Sequence, residues 1–147
     1  MKKLMIGLVL GAFIITNTAF ANNSNTVNDK VQTSFKQEFA TAQNVVFSKT
    51  NNYIKAAFTL NNQVMEAYYT ADGEMIGVSK NLLSTELPIG LQVDLKRDYA
   101  DYWISDLFEF ATESNSNYFI TVENADQKIT LQSNGNEWIV YKKAKKL

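Results

Sequence analysis

The sequence contains no cysteine and no histidine, and it has one proline and six glycines among its 147 residues. Without cysteine and histidine there is no disulfide, no thiol nucleophile, no Ser-His-Asp triad, no His- or Cys-ligated zinc site and no c-type haem attachment. The glycines also lack the spacing of a phosphate-binding loop. Only carboxylate, lysine, tyrosine and hydroxyl side chains remain as groups for catalysis, and we predict no catalytic residue, no cofactor and no metal site.

Neither sign of charge dominates, because 14 Lys and Arg stand against 15 Asp and Glu. Domains that bind nucleic acid usually carry a strong excess of positive charge. We therefore expect no nucleic-acid partner.

The one long apolar run lies near the N-terminus, at residues 4–15, directly after two lysines. Together with the small-x-small site Ala19-Phe20-Ala21, this pattern predicts a signal peptide at 1–21 that is cleaved between Ala21 and Asn22. The run is too short to span a bilayer comfortably, so we expect no transmembrane segment in the mature chain. The sequence thus predicts a periplasmic or secreted protein that begins with a flexible leader at 22–28.

Two segments share a helical pattern at a constant offset of 60 residues. In 31–40 and again in 91–100, apolar residues recur every four positions, which puts them on one stripe of a helix. After each segment the pattern changes to short apolar runs separated by turn residues, which is typical of antiparallel strands. The stripes are Val31, Phe35 and Phe39 in the first segment and Leu91, Leu95 and Tyr99 in the second.

The recurring pattern predicts an α+β protein of two tandem repeats, each with one helix plus a four-stranded antiparallel sheet. We place the first repeat at 29–83 and the second at 84–147, with the sheets continuous or abutting and both helices on one face. The predicted strands are 44–50, 53–60, 63–70 and 74–80 in the first repeat, and 103–113, 117–123, 128–133 and 137–143 in the second.

Alternation within the strands indicates which side each helix covers. In 53–60 every second residue is apolar, and we expect this set to lie under a helix. The opposite set, which includes Tyr53 and Lys55, is mixed polar and aromatic, as is the set in 117–123 that includes Phe119. The covered set of the earlier strand comprises Ile54, Ala56, Phe58 and Leu60.

Several short segments resemble a known family. Phe35-Lys36-Gln37-Glu38-Phe39, Glu66-Ala67-Tyr68-Tyr69 and Asp72-Gly73-Glu74 are similar to the PepSY-like family of exported bacterial proteins. That family is also described as resembling beta-lactamase-inhibitor proteins, which stack two helix-plus-four-strand units. The resemblance covers roughly residue 28 to the C-terminus, and it implies a non-enzymatic periplasmic module. The single residues that also carry it are Ala42, Val45, Phe47, Tyr53, Ala56 and Phe58.

Two charged clusters have more than one interpretation. Asp94, Asp98 and Asp101 are compatible with a general-acid pair or a divalent-cation site, but a solvated helix face is favoured because amphipathic helices normally carry one. The basic C-terminal tail at 142–146 contains four lysines. It is compatible with contact to an anionic lipid or polymer, although a solvated, frayed end is favoured.

Aromatic residues on the uncovered face are the best functional candidates, since such side chains bring contact area with little loss of entropy. We predict that Tyr53, Lys55, Tyr68, Phe119 and Trp138 bind a partner. The leading hypothesis is a periplasmic binding or inhibitory module whose open sheet face binds an unidentified protein or peptide of the cell envelope. The alternatives are an envelope-associated protein that binds peptide or lipid and, with less support, a small carboxylate-based enzyme. A deep apolar cavity between helix and sheet would favour lipid.

Overall fold

The computed structural model describes residues 27–147. The predicted signal peptide at 1–21, the cleavage site between Ala21 and Asn22, and residues 22–26 of the predicted leader lie outside this range. Within it, the helices are α1 (Asp29–Glu38) and α2 (Ile89–Asp98), with a short 3-10 helix at Ser84–Glu86 before α2. The strands are β1 (Gln43–Lys49), β2 (Ile54–Leu60), β3 (Gln63–Tyr69), β4 (Met75–Asn81), β5 (Trp103–Ala111), β6 (Ser116–Glu123), β7 (Gln127–Ser133) and β8 (Ile139–Lys145).

All eight strands form one antiparallel sheet, in the order in which they follow along the chain. β4 pairs with β5, from Val78 opposite Ala111 to Asn81 opposite Phe108. The predicted fold class is therefore wrong: the described chain is one eight-stranded sheet with two helices, mostly β, rather than two repeats of a helix plus a four-stranded sheet. The prediction failed because periodicity locates strands but does not say which strands pair across the helical connection.

Tight turns join neighbouring strands where the sequence supplies residues that tolerate a left-handed backbone. Asn61 and Asn62, between β2 and β3, have φ angles of 51° and 64°. Asparagine accepts this region more readily than other residues with a side chain, and two such residues in a row are typical of a type I′ hairpin turn. The turn fixes the register in which Leu60 lies opposite Gln63.

Helix α1 begins at a capping residue and covers the first half of the sheet. The Asn28 side chain accepts a hydrogen bond from the Lys30 backbone N–H at 3.0 Å. Val31 and Phe35 are buried on the side that faces the sheet. Val27 is buried too, so the core includes one residue of the segment predicted as a leader. The other buried residues beneath α1 are Ile54, Ala56, Phe58, Ala67 and Tyr69.

Helix α2 covers the second half of the sheet. Leu91 and Leu95 are buried, and Pro88 precedes the helix, where its missing N–H is tolerated. The other buried residues of this cluster are Leu87, Leu107, Ile120, Val122, Ile129 and Leu131.

Both helices lie on the same face of the sheet. The register joins Ala67, beneath α1, to Val78 and then to Ala111. Leu107, beneath α2, is on the same side of β5 as Ala111 because side chains alternate along a strand. This result confirms that the set from Ile54 to Leu60 lies beneath a helix, with Leu60 partly buried. No helix of residues 27–147 lies on the opposite face of the sheet. Neither helix between residues 27 and 147 has the length and apolar character needed to cross a membrane.

Candidate functional site on the uncovered face of the sheet

The uncovered face of the sheet is concave. Side chains from six consecutive strands, β3 to β8, line a single cavity of about 420 Å³. Val64 on β3 and Lys142 on β8 border the same space, which a flat sheet of six strands would not allow at the usual spacing of about 4.8 Å between strands. We call this surface the concave face.

One row of rings lies toward the first half of the concave face. The Tyr53 and Tyr68 ring centroids are 5.4 Å apart, and those of Tyr68 and Phe110 are 5.8 Å apart. Phe110 packs over Gly77 on the adjacent strand, where an added Cβ would lie 2.6 Å from the ring. Because Gly77 has no side chain, the Phe110 ring of β5 can pack against β4 on this face.

A second row of rings lies toward the other half. Phe108 and Phe119 stack with centroids 5.2 Å apart, and Tyr141 meets Phe119 edge-on at 5.7 Å. Phe119 is buried, whereas Tyr141 is 44% exposed. Because Tyr141 is both aromatic and accessible, it offers a partner more contact area than the rings beneath it.

A charged group lies beside the first row of rings. The Glu66 carboxylate accepts a hydrogen bond from Lys55 Nζ at 2.8 Å and another from the Tyr68 hydroxyl at 2.7 Å. Burial raises the pKa of the Tyr68 phenol, and its hydrogen bond to the Glu66 carboxylate raises it further. Each carboxylate oxygen of Glu66 therefore has a protein donor, and Tyr68 stays protonated at neutral pH.

The floor of the cavity also holds Asp106 and two threonines. Burial raises the pKa of Asp106, while a hydrogen bond from the Leu107 backbone N–H acts in the opposite direction. The hydroxyls of Thr121 and Thr130 are 3.2 Å apart across β6 and β7. The concave face thus combines exposed aromatic area with a few fixed polar groups, which is the usual composition of a recognition surface.

Four of the five residues predicted to bind a partner lie on the concave face or at its margin, namely Tyr53, Lys55, Tyr68 and Phe119. Trp138 does not join them. It packs beneath α2, where its Nε1 donates a hydrogen bond to the Leu91 carbonyl at 3.0 Å. The partner-binding role of all five residues remains a prediction.

Other residues of the concave face were not predicted from the sequence. Phe108 and Phe110 alternate with Leu107 and Glu109 along β5, so the strand pattern that placed Tyr53 and Phe119 could have placed these two rings. Tyr141 gave a weaker signal, because it lies at an irregularity in the pairing of β7 and β8. The polar residues Glu66 and Asp106 carried no local signal, since only the curvature of the sheet brings them to one cavity.

Two members of the acidic cluster, Asp94 and Asp98, lie on α2 and pair with a neighbouring arginine, whereas Asp101 follows the helix. Arg97 forms ion pairs with Asp94 at 2.9 Å and with Asp98 at 2.7 Å. The hydrogen bond from Arg97 lowers the pKa of Asp98. Between residues 27 and 147, no group of three or more acidic side chains is arranged to hold a metal ion.

Comparisons with known proteins identify the fold. No family model matches the chain, and no curated protein matches it. A BLIP-like protein from Bacteroides fragilis superposes with a TM-score of 0.68 at 15% identity, over 80% of this chain and 85% of its own. A DUF2874 family protein from Bacteroides ovatus gives 0.72 at 20% identity, over 82% and 89%. A candidate periplasmic protein from Bacteroides eggerthii gives 0.72 at 17% identity, over 81% and 88%.

These structural neighbours support one part of the family resemblance and not the other. The chain shares its fold with a BLIP-like protein, so the resemblance to beta-lactamase-inhibitor proteins holds for the fold. The neighbours do not support the PepSY assignment.

Proposed function

We propose that this protein is an exported, non-enzymatic binding module whose concave face binds another protein or peptide of the cell envelope. The observation that carries the proposal is the concave face itself, where side chains of six strands, among them the rings of Tyr68, Phe108, Phe119 and Tyr141, line a cavity of about 420 Å³. A binding surface of this kind needs rigid anchors, and a continuous sheet with its other face packed under helices is a rigid support.

The chemistry of the face fits a protein partner better than it fits catalysis. Binding energy at interfaces is concentrated in a few aromatic and well-packed residues surrounded by polar groups. Tyr141 and Val64 supply accessible apolar area on opposite sides of the cavity. Glu66 is already hydrogen-bonded by Lys55 and Tyr68, so its carboxylate is engaged as a structural group.

Export supports the same proposal. The predicted signal peptide at 1–21 directs the chain out of the cytoplasm, and one structural neighbour is described as a candidate periplasmic protein. Mass spectrometry of the exported protein tests this step: we expect a chain that begins at Asn22. Recovery of the full-length chain, with Met1 retained, would contradict export with cleavage.

The test of the binding face uses accessible residues, because truncating the buried Phe119 would also disturb packing. We expect the double variant Val64→Ala/Tyr141→Ala to retain less than about a tenth of the envelope protein captured by the unmodified chain, since loss of interface anchors costs more than about 1 kcal/mol each. Capture is quantified by mass spectrometry of bound envelope proteins, and thermal melting of each variant verifies the fold.

A matched control removes exposed apolar side chains from the helix side of the sheet. Ile89 and Val93 are exposed on α2, on the opposite side of the sheet. The variant Ile89→Ala/Val93→Ala should capture partners like the unmodified chain. Equal capture by both double variants, with both folded, would refute the concave face as the binding surface.

A second candidate function is binding of an apolar ligand such as a lipid. A cavity of about 480 Å³ lies between α1 and β1, lined mainly by Phe35, Phe39, Ala42, Val45 and Phe47. A fluorescent fatty acid tests it, with Val45→Asp as the variant that places a charge in the cavity. Binding that Val45→Asp abolishes, together with unchanged capture by Val64→Ala/Tyr141→Ala, would favour this function over the first.

A further inference from the structure

The basic C-terminal segment forms an edge strand. β8 (Ile139–Lys145) pairs with β7 on one side and is the last strand of the sheet as described from residue 27 to 147. All seven of its residues are exposed. The lysines expected in a frayed tail thus lie along an ordered strand whose outer edge faces solvent.

Several contacts hold the end of this strand in place. The Lys146 backbone N–H donates to the Asp126 carbonyl at 2.8 Å. Lys146 Nζ forms an ion pair with Glu123 at 2.7 Å and lies 4.4 Å from the centre of the Trp103 ring. A second lysine, Lys128, contacts the other carboxylate oxygen of Glu123 at 3.1 Å. These contacts fix β8 as far as its last residues.

The hydrogen-bonding groups of β8 alternate between inward and outward directions. Because the Lys146 N–H faces the β7 side, the N–H and C=O groups of Lys145 and Lys143 point away from β7, as successive residues do in an antiparallel ladder. Outward-pointing groups of an edge strand are a template for an added strand.

The side chains of β8 determine which strand can be added. Within residues 27–147, Lys142, Lys143 and Lys145 have no carboxylate partner. Lys143 pairs in register with Ile129, which is buried beneath α2, so Lys143 and Lys145 project on the helix side of the sheet. Lys142 projects on the concave face. A second copy of β8 would bring like charges together, which is unfavourable.

We propose that the outer edge of β8 binds an acidic, extended segment of a partner protein as a ninth strand. Backbone hydrogen bonds to Lys143 and Lys145 hold the segment, and its carboxylates lie opposite the lysines, where opposite charges across strands are favourable. An anionic membrane fits less well, because Lys142 projects on the other side of the sheet from Lys143 and Lys145, so a flat surface laid on either face meets only part of the set.

Fluorescence anisotropy with the mature chain and a dye-labelled peptide of alternating Glu and Val tests the proposal. We expect the peptide to bind, and Lys143→Gln/Lys145→Gln to weaken its affinity about fivefold, from the loss of two cross-strand charge pairs. The control Lys36→Gln/Lys96→Gln removes the same charge from the exposed helix surfaces and should leave affinity unchanged. The same peptide N-methylated on alternate amides, prepared in both registers, should lose binding in one register.

Three results would overturn the proposal. If the peptides N-methylated in the two registers bound equally well, any polyanion would suffice. The same would follow if vesicles rich in anionic lipid bound as tightly as the unmethylated peptide. Self-association of Lys143→Gln/Lys145→Gln with unchanged peptide affinity would mean that the lysines only prevent edge pairing. The concave-face variant Val64→Ala does not touch this edge, so its peptide affinity stays unchanged whether or not the concave face binds a partner.

Discussion

The packing beneath α1 differs in chemistry from the packing beneath α2, although both helices are tied to the preceding chain in the same way. Gln32 Nε2 donates to the Val27 carbonyl at 2.9 Å, and Gln92 Nε2 donates to the Leu87 carbonyl at 2.8 Å. In both cases a glutamine on the helix binds the backbone five residues earlier. This contact sets how each helix enters the fold.

Beneath that common contact the two regions use different side chains. Phe35 is central to the first, with its ring 5.0 Å from Phe58 and 5.5 Å from Phe47. The buried residues of the second are leucine, isoleucine and valine. Partly buried tyrosines pack against them, and the Trp138 indole is hydrogen-bonded to the Leu91 carbonyl. The two helices thus share one backbone contact, with aromatic rings central to the packing beneath α1 and aliphatic residues buried beneath α2, so the same contact is compatible with either kind of core.

The largest expected effect comes from truncating the central residue on each side. Phe35→Ala should lower the free energy of unfolding by about 3–5 kcal/mol, and Leu95→Ala by an amount near the lower end of about 2–5 kcal/mol, because the phenylalanine leaves the larger cavity. Urea unfolding measures both. Lys36→Ala and Lys96→Ala, exposed neighbours on the same helices, should change stability by less than about 0.5 kcal/mol. A greater loss of unfolding free energy for Leu95→Ala than for Phe35→Ala would contradict the expectation that the phenylalanine leaves the larger cavity.

Substitutions at the N-terminal cap of α1 should give the next largest change in stability. Asn28 caps α1 and also donates from its side chain to the Ala71 carbonyl at 2.9 Å, whereas Pro88 at the start of α2 makes no side-chain cap. Asn28→Ala should cost about 0.5–2 kcal/mol, and Asn28→Asp, which keeps the capping oxygen, should cost less. If thermal melting gives equal losses for the two variants, the cap is not what stabilises α1.

Removing the indole N–H on the α2 side should have a smaller effect. Trp138→Phe keeps an aromatic ring beneath α2 but deletes the donor to the Leu91 carbonyl, so we expect a loss of about 0.5–1.5 kcal/mol. Trp103→Phe is the matched control, because this exposed ring contacts the Lys146 ammonium, and a phenylalanine ring keeps that kind of contact. A stability change no larger than that of the control would show that packing alone, without the hydrogen bond, positions Trp138.

The smallest effect is a pH dependence at acidic pH in the second region. Hydrogen bonds from Lys146, Ser105 and Lys128 lower the pKa of Glu123 to about 2, whereas the pKa of an unfolded glutamate is about 4.3. The stabilisation by ionised Glu123 is therefore present above about pH 4.3 and is lost as the pH falls toward 2. We expect it to be below about 1 kcal/mol, since both lysines are partly solvated.

The stability difference between the unmodified chain and Glu123→Gln measures this contribution. Urea unfolding at pH 6, 4 and 2 should show the difference decreasing as the pH falls. The matched variant on the α1 side is Asp72→Asn, which breaks the exposed pair of Lys30 and Asp72 at 3.5 Å. A constant difference for Glu123→Gln across the pH range would exclude the pair as a source of pH dependence.

Local patterns in the sequence identified much of this fold. The four-residue spacing of Val31, Phe35 and Phe39 located α1, and alternation around Tyr53 and Phe119 assigned these residues to the uncovered side. Whether β4 pairs with β5, in a continuous rather than an abutting sheet, stayed open, because the pairing joins residues that are far apart in the chain and have no distinctive local pattern. The offset of 60 residues between the helical segments stays a prediction of an internal repeat.

The candidate site was predictable only in part for a related reason. Strand alternation placed Tyr53, Lys55 and Phe119 on the uncovered face, and Tyr68 was chosen as an aromatic residue on a predicted strand. Trp138 was predicted to lie with them, but it precedes β8, outside the alternating pattern of that strand, and packs beneath α2. The meeting of residues from β3 and β8 around one cavity depends on curvature summed over six strands, which no short window of sequence encodes.

The close approach of Phe110 to Gly77 also limits which residues position 77 can accept during evolution. Gly77 and Gly90 are the same residue type, yet a Cβ at position 77 would lie 2.7 Å from the Ala111 carbonyl oxygen, while a Cβ at position 90 would meet nothing within 4 Å. In a library that samples all residues at both positions, position 90 would accept most of them and position 77 almost none. Any replacement that survives at position 77 would displace the Phe110 ring and so reshape the cavity from within the sheet.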